Sequence, residues 1–203
     1  MKNNLCFALL LILALAACGG KKESSTTTSV EQPTTPQEAI KQVEKAMKQT
    51  ADQQPVEPVN FRKLKELLPE NVAGYERTNA SGESAGAMGI KFSKAEGSYK
   101  NADGQTLRIQ ISDTGGLGMG LMSMAAWSTI TVDKEDDNGY ERTTTLNGYK
   151  CFEKYRKRNE SSELSVLAES RFIINTTCRG CSMETLRDVV GAMDFNSLKN
   201  LEQ

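Results

Sequence analysis

The chain has 203 residues, 38% hydrophobic and 25% charged, with 25 Lys and Arg against 26 Asp and Glu. That length holds one ordinary domain with residues to spare, and a net charge of −1 lacks the basic excess that marks a nucleic-acid partner. Histidine is absent, which excludes serine–histidine and cysteine–histidine nucleophile systems and histidine-ligated zinc.

The chain opens on MKNNLCFALLLILALAAC. Lys2 supplies one positive charge, and an apolar run follows from Leu5 to Ala16. The run is shorter than the roughly 20 apolar residues of a membrane span and suits the core of a secretory signal. Its end, Leu15-Ala16-Ala17-Cys18, resembles the lipobox of bacterial lipoproteins. The resemblance covers the signal segment alone. It implies cleavage before Cys18, a diacylglyceryl group on the Cys18 sulfur and acylation of the new amino group. Two or more acyl chains hold a protein on a membrane stably where one does not, because each buried methylene adds about 0.8 kcal/mol. Gly19 rather than aspartate follows the cysteine. By the same resemblance this favours the outer membrane, on its periplasmic face or the cell surface.

From Gly19 to Pro36 the composition is mainly Ser and Thr, with Gly, Lys, Gln, Glu and Pro and almost nothing apolar. Such a stretch cannot offset its ordering entropy and is expected to form a disordered tether. In PQEAIKQVEKAMKQTADQ, Ala39, Ile40, Val43, Ala46 and Met47 recur at helical steps. QPVEPV then breaks the thin stripe. The expected organisation is a lipoprotein signal peptide at 1–17, a lipidated cysteine, tether and short helix at 18–59, and one domain at 60–203.

Asn60 is an N-cap candidate for NFRKLKELLP, with Phe61, Leu64, Leu67 and Leu68 on one face. The period then changes to two. IKFSK places Ile90 and Phe92 on one side, and TLRIQIS places Leu107, Ile109 and Ile111 inward. GMGLMSMAAW reads as a helix. GYERTTTL, YKCFEKYRK, ELSVLAE and RFIINTT read as strands joined by short turns, and METLRDVVGAM as a closing helix followed by a short NSLKNL turn. This order predicts an α+β fold: one antiparallel sheet of about six or seven strands with helices packed on it. GYERT occurs twice, at 74–78 and 139–143, each time at the start of a strand-rich stretch.

Four features carry candidate chemistry. SDTGGLGMGLM, with Gly115, Gly116, Gly118 and Gly120, sits between a strand and a helix. Its spacing matches neither the dinucleotide fingerprint nor the P-loop, so it reads as a loop able to form a lip over a pocket. Met119, Met122 and Met124 are soft donors for Cu(I), but their spacing also suits core packing. The acidic run DKEDD at 133–137 lacks the ligand spacing of a calcium loop and reads as a solvated turn.

The fourth is the cysteines. Once Cys6 leaves with the signal and Cys18 takes lipid, Cys151, Cys178 and Cys181 remain. Three pairings are open. Cys151 shares a strand face with Tyr149 and Tyr155, and Cys178 has the parity of Phe172 and Ile174, so a cross-strand Cys151–Cys178 bridge competes with a local Cys178–Cys181 clasp. A redox role has a physical basis, since a helix start beside Cys181 and the charge of Arg179 lower a thiol pKa. Locally, the strand–CxxC–helix order resembles the active site of thioredoxin-like proteins. It departs from them in lying near the C-terminus with no proline after Pro69. A soft-metal site would draw on Cys178 and Cys181, with Cys151 or Met183 as a further ligand.

The expectation is a membrane-anchored, non-catalytic lipoprotein of the bacterial envelope, with no cofactor. Its domain would bind an envelope protein or small ligand, not nucleic acid. The alternative is a thiol–disulfide or Cu(I)-type protein working through Cys178 and Cys181.

Overall fold

A computed structural model describes residues 56–87, 90–115, 126–128 and 130–201. The signal segment with Cys18, the tether, the helix expected near residues 36–53 and the glycine- and methionine-rich stretch 116–125 lie outside the described residues.

Among the described residues, nine strands form one antiparallel sheet: β1 (Asn71–Val72), β2 (Tyr75–Ala87), β3 (Ile90–Lys100), β4 (Thr106–Asp113), β5 (Asp133–Asp136), β6 (Gly139–Leu146), β7 (Tyr149–Arg156), β8 (Ser161–Ala168) and β9 (Phe172–Arg179). Three α-helices among the described residues accompany them: α1 (Phe61–Glu66), α2 (Met183–Gly191) and α3 (Phe195–Asn200). The domain is therefore mostly β with some helix, and its sheet is larger than the six or seven strands expected. The six strands read from apolar alternation are present. The additions are β1, β2 and β5. Most of the acidic run, Asp133–Asp136, forms β5, a wholly exposed strand, and not only a turn. Charged side chains of this kind protect a sheet edge from pairing with another chain. The NSLKNL stretch lies largely within α3, capped by Asp194, which accepts from Asn196 N and Ser197 N.

The strand order is β1-β2-β3-β4-β9-β8-β7-β6-β5. Two meanders run inward from opposite edges and meet where β4 pairs with β9. Each copy of GYERT begins the strand next to an edge, β2 on one side and β6 on the other. The β6–β7 and β8–β9 turns are tight. Asn147 and Gly148 at φ 52° and 86°, and Glu169 and Ser170 at φ 50° and 53°, fit the left-handed pairs that hairpins favour.

Register sorts the side chains into two faces. The inner face carries Leu107, Ile109, Ile111 and Asp113 of β4 and, level with them, Cys178, Thr176, Ile174 and Phe172 of β9. Leu164 and Val166 of β8, and Cys151 and Glu153 of β7, continue it. The helices cover this face: α1 over β2, β3 and β4, and α2 over β8 and β9. Leu64, Leu186, Val189 and Val190 are fully buried there, each such side chain contributing about 1.5–3 kcal/mol. Asn60 caps α1 by accepting from Arg62 N, and Ser182 caps α2 by accepting from Thr185 N.

The outer face is divided. Toward the Asp113 end, Ser112, Ser165 and Ile173 are buried, and Trp127 stacks on Phe152 with ring centroids 6.1 Å apart. Toward the Thr106 end it is open. Residues 56–59, placed by the sequence reading in the segment before the domain, are hydrogen-bonded to the body: Val56 N donates to Gly115 O at 3.1 Å, and Val59 N to Asp113 Oδ2 at 2.8 Å.

Candidate functional site

The cysteines resolve into a clasp and a lone thiol. Cys178 and Cys181 are bonded to each other, with Cα atoms 5.7 Å apart, where β9 turns into α2. Gly180 makes that turn at φ 75°. Cys151 is a free thiol, fully buried. Its inward parity is as the sequence indicated, but the cross-strand bridge to Cys178 does not form. Cys151 lies level with Val166 and, beyond it, Ile174, so β8 stands between the two cysteines and Cys178 lies four residues further along β9. Strand spacing and rise place them roughly 16 Å apart. Burial pushes the Cys151 thiol up to about 11.

The surroundings of the clasp differ from a reactive dithiol. Both cysteines are nearly buried, 5% and 6% exposed. Tyr75 Oη lies 3.1 Å from Cys181 Sγ, and Ser162 Oγ donates to Cys181 O at 2.7 Å. The Arg179 side chain, by strand alternation, belongs to the opposite face from Cys178, so its charge does not act on the sulfurs as the sequence suggested. Met183 is buried in the core cluster. Bonded sulfurs offer no thiolate to a metal. On the far side of the clasp from Tyr75, Tyr140 and Tyr155 line a cavity of about 440 Å³ with Glu160, Ser182 and Met183.

Two buried carboxylates escaped sequence reasoning. Asp113 receives Arg171 through Nε–Oδ1 at 2.9 Å and Nη2–Oδ2 at 2.7 Å. Glu153 receives Arg187 of α2 at 2.7 Å on each oxygen. A signal for both existed: each has the parity of its strand's inward residues. Both are fully paired, which is the condition for a buried charge. They tie the strap at 56–59 and helix α2 to the sheet.

The open end of the outer face holds a groove of about 610 Å³. Its outermost row crosses five strands: Lys100 of β3, Thr106 of β4, Arg179 of β9, Ser161 of β8 and Arg156 of β7. Lys100 pairs with Thr106, and Ser161 pairs with both Arg179 and Arg156. Cations thus stand on alternate strands with a hydroxyl between them. Among the described residues, none of the three makes an ion pair. Glu76 and Asp136 flank the row at its two ends.

The next row inward is different: Ser98, Arg108, Thr177, Glu163, Lys154, Glu141 and Lys134. Here signs alternate, and the charges neutralise one another. Arg108 pairs with Glu96 at 3.3 Å and Lys154 with Glu141; Lys154 holds the Glu141 carboxyl below its ordinary range. The groove therefore combines four cations, Lys100, Arg108, Arg156 and Arg179, with one carboxylate, Glu163, and a floor of hydroxyls. Arg156 also lines a second pocket of about 330 Å³ toward the β5 edge, where Arg158, Lys134 and Lys154 stand with the carboxylates Asp136 and Glu141. Such an arrangement attracts an anion and offers hydrogen bonds around it. No family model, curated protein or solved structure matches the chain.

Proposed function

We propose that the chain is a lipid-anchored, non-catalytic protein of the bacterial envelope whose folded domain binds an anionic ligand at the open end of its sheet. The lipobox-like LAAC at Leu15–Cys18 supports the anchor. The observation that carries the binding site is the row Lys100, Arg179 and Arg156, exposed and without ion pairs among the described residues, along a groove of about 610 Å³. The paired polar groups elsewhere on the sheet, Asp113 with Arg171 and Glu153 with Arg187, read as structural.

Two measurements test this. Labelled palmitate should enter the wild-type chain and not a Cys18→Ala variant; equal labelling of both removes the anchor. A photoreactive side chain placed at Thr106 or Thr177 should form an adduct in the cell, while one at Glu184 on α2 should not. No adduct from either groove position, with the chain correctly exported, removes the binding site.

A second reading, a thiol–disulfide protein acting through Cys178 and Cys181, is favoured by the cavity that borders Cys181. Exchange needs a thiolate to reach a sulfur, and the burial of both residues opposes that. Rapid opening of the clasp by mild reductant in the native state would restore this reading.

A further inference from the structure

We infer that the groove takes a linear acidic polysaccharide, laid across the strands and held by sugar carboxylates or sulfates on Lys100, Arg179 and Arg156. The inference rests on the binding reading above and names its ligand class.

Spacing carries the argument for a polymer. Neighbouring strands lie about 4.8 Å apart, so cations on alternate strands recur at about 10 Å, and the row from β3 to β7 spans roughly 19 Å. That exceeds one sugar or one phosphate. The row is also periodic in chemistry, with Thr106 and Ser161 between the cations. A chain with anions at intervals and hydroxyls between them matches both the charges and the hydrogen-bonding groups. Arginine suits the planar anions of such a chain, because its fork meets two oxygens at once.

The groove's composition argues against other macromolecules. Protein interfaces centre on apolar and aromatic anchors. The side chains of Tyr99 and Leu107, which also border the groove, are 1% and 2% exposed and belong to the inner face. Single-stranded nucleic acid needs aromatic platforms for its bases, and the two outer rows between β3 and β7 contain none. The self-neutralised inner row gives the site a boundary: among the described residues, no further unpaired row of cations lies beyond Arg108, Glu163 and Lys154 for a wider polyanion to use.

The test uses the full chain as purified from the expressing cell. Three probes are titrated by calorimetry and by backbone NMR shifts: polygalacturonate, its fully methyl-esterified form, and polyphosphate of similar length. Polygalacturonate should bind, shift the amides of residues 98–108, 156–163 and 177–180, and weaken with salt. Arg156→Gln with Arg179→Gln should lower its affinity by about tenfold or more. Both side chains are exposed, so the fold should persist, as the unchanged remainder of the spectrum would show. Equal binding of the esterified polymer, indifferent to the two substitutions, overturns the acidic-sugar assignment while leaving the groove a binding site. Equal or tighter binding of polyphosphate shows that charge alone is read, and also overturns it. If no probe shifts these amides, the inference fails; the photoreactive adducts described above then decide separately whether the groove binds anything else.

Discussion

Asp113 and Arg171 meet through two hydrogen bonds, 2.9 Å and 2.7 Å long, with the carboxylate wholly buried. The same carboxylate accepts from Val59 N and Gly115 N, so one side chain of β4 gathers the β8–β9 turn, the strap and the start of the glycine-rich stretch. Arg171 also donates to Glu57 O at 3.1 Å. Removing one partner of such a pair leaves an uncompensated buried charge, which costs about 3–5 kcal/mol. Arg171→Leu should therefore lower the urea midpoint of the full chain by a corresponding amount at unchanged slope. Arg171→Lys keeps the charge but not the fork and should recover only part. A loss below about 1 kcal/mol for the leucine variant would show that the pair does not hold the strap.

Alkaline pH should destabilise the domain through two buried acids. Burial pushes the Cys151 thiol from an ordinary 9.0 to about 11, and the Tyr99 phenol from 10.0 to about 12. Both are neutral in the folded chain and ionise sooner in the unfolded one. Their contribution is therefore complete below about pH 9 and is lost as pH rises toward 11 and 12. Cys151→Ala should remove about 2 kcal/mol of that fall by pH 11. The peptide carrying Cys151 should also resist alkylation at pH 8 until the chain is unfolded. A stability curve between pH 8 and 11 that is the same for wild type and variant would contradict this assignment.

Much of the sheet was legible because its core strands alternate. Leu107, Ile109 and Ile111 name their own face. The missing strands fail that rule for physical reasons. Most of β2 reads NASGESAGA, with little strand preference of its own, and it is held by pairing with β3. Its Gly82 lies beneath Phe61, where a Cβ would come 2.7 Å from the ring, so the small residue that hides the strand also admits helix α1. β5 is exposed on every residue and has no apolar pattern to read. The clasp was legible only as one of the competing pairings, the local one. The groove was not. Lys100, Arg179 and Arg156 lie far apart in the chain, and each looks like an ordinary solvent-facing charge. They line up only because β4 pairs with β9 and not with β5, and strand order is not written in local periodicity.

The clasp and the groove should be separable. The Cys178–Cys181 bond closes a short loop, for which the chain-entropy argument gives about 2 kcal/mol. Cys181→Ala should therefore lower stability modestly and leave the fold intact. Cys178 borders the groove, but by register it belongs to the inner face with Leu107, whereas the cations lie on the outer one. Affinity of the groove for polygalacturonate should then change less than about twofold in this variant, a shift of about 0.4 kcal/mol. A tenfold loss, with the fold preserved, would mean that the clasp shapes the groove and that the two faces are coupled through β9.

The two GYERT copies are identical in sequence and equivalent in place, yet their glycines should not be equally replaceable. Gly74 turns β1 into β2 at φ 81°, and a Cβ added there meets nothing within 4 Å. Gly74→Ala therefore bears only the left-handed backbone cost, about 1–2 kcal/mol. Gly139 lies at φ 144°, and its added Cβ would sit 2.0 Å from Tyr155 O, a backbone atom of the paired strand. Backbone cannot swing aside as a long side chain can. Gly139→Ala must push β6 away from β7, disturbing the Gly139–Arg156 pairing and the bond from Lys157 N to Asn138 O. A loss above about 3 kcal/mol is expected, in the range reserved for strain that packing cannot absorb. Because Arg156 sits at that junction, the same substitution should also weaken polygalacturonate binding, whereas Gly74→Ala should not. Equal destabilisation by the two substitutions would show that the hairpins are interchangeable, and that β7 owes its position to the sheet as a whole more than to the glycine beside it.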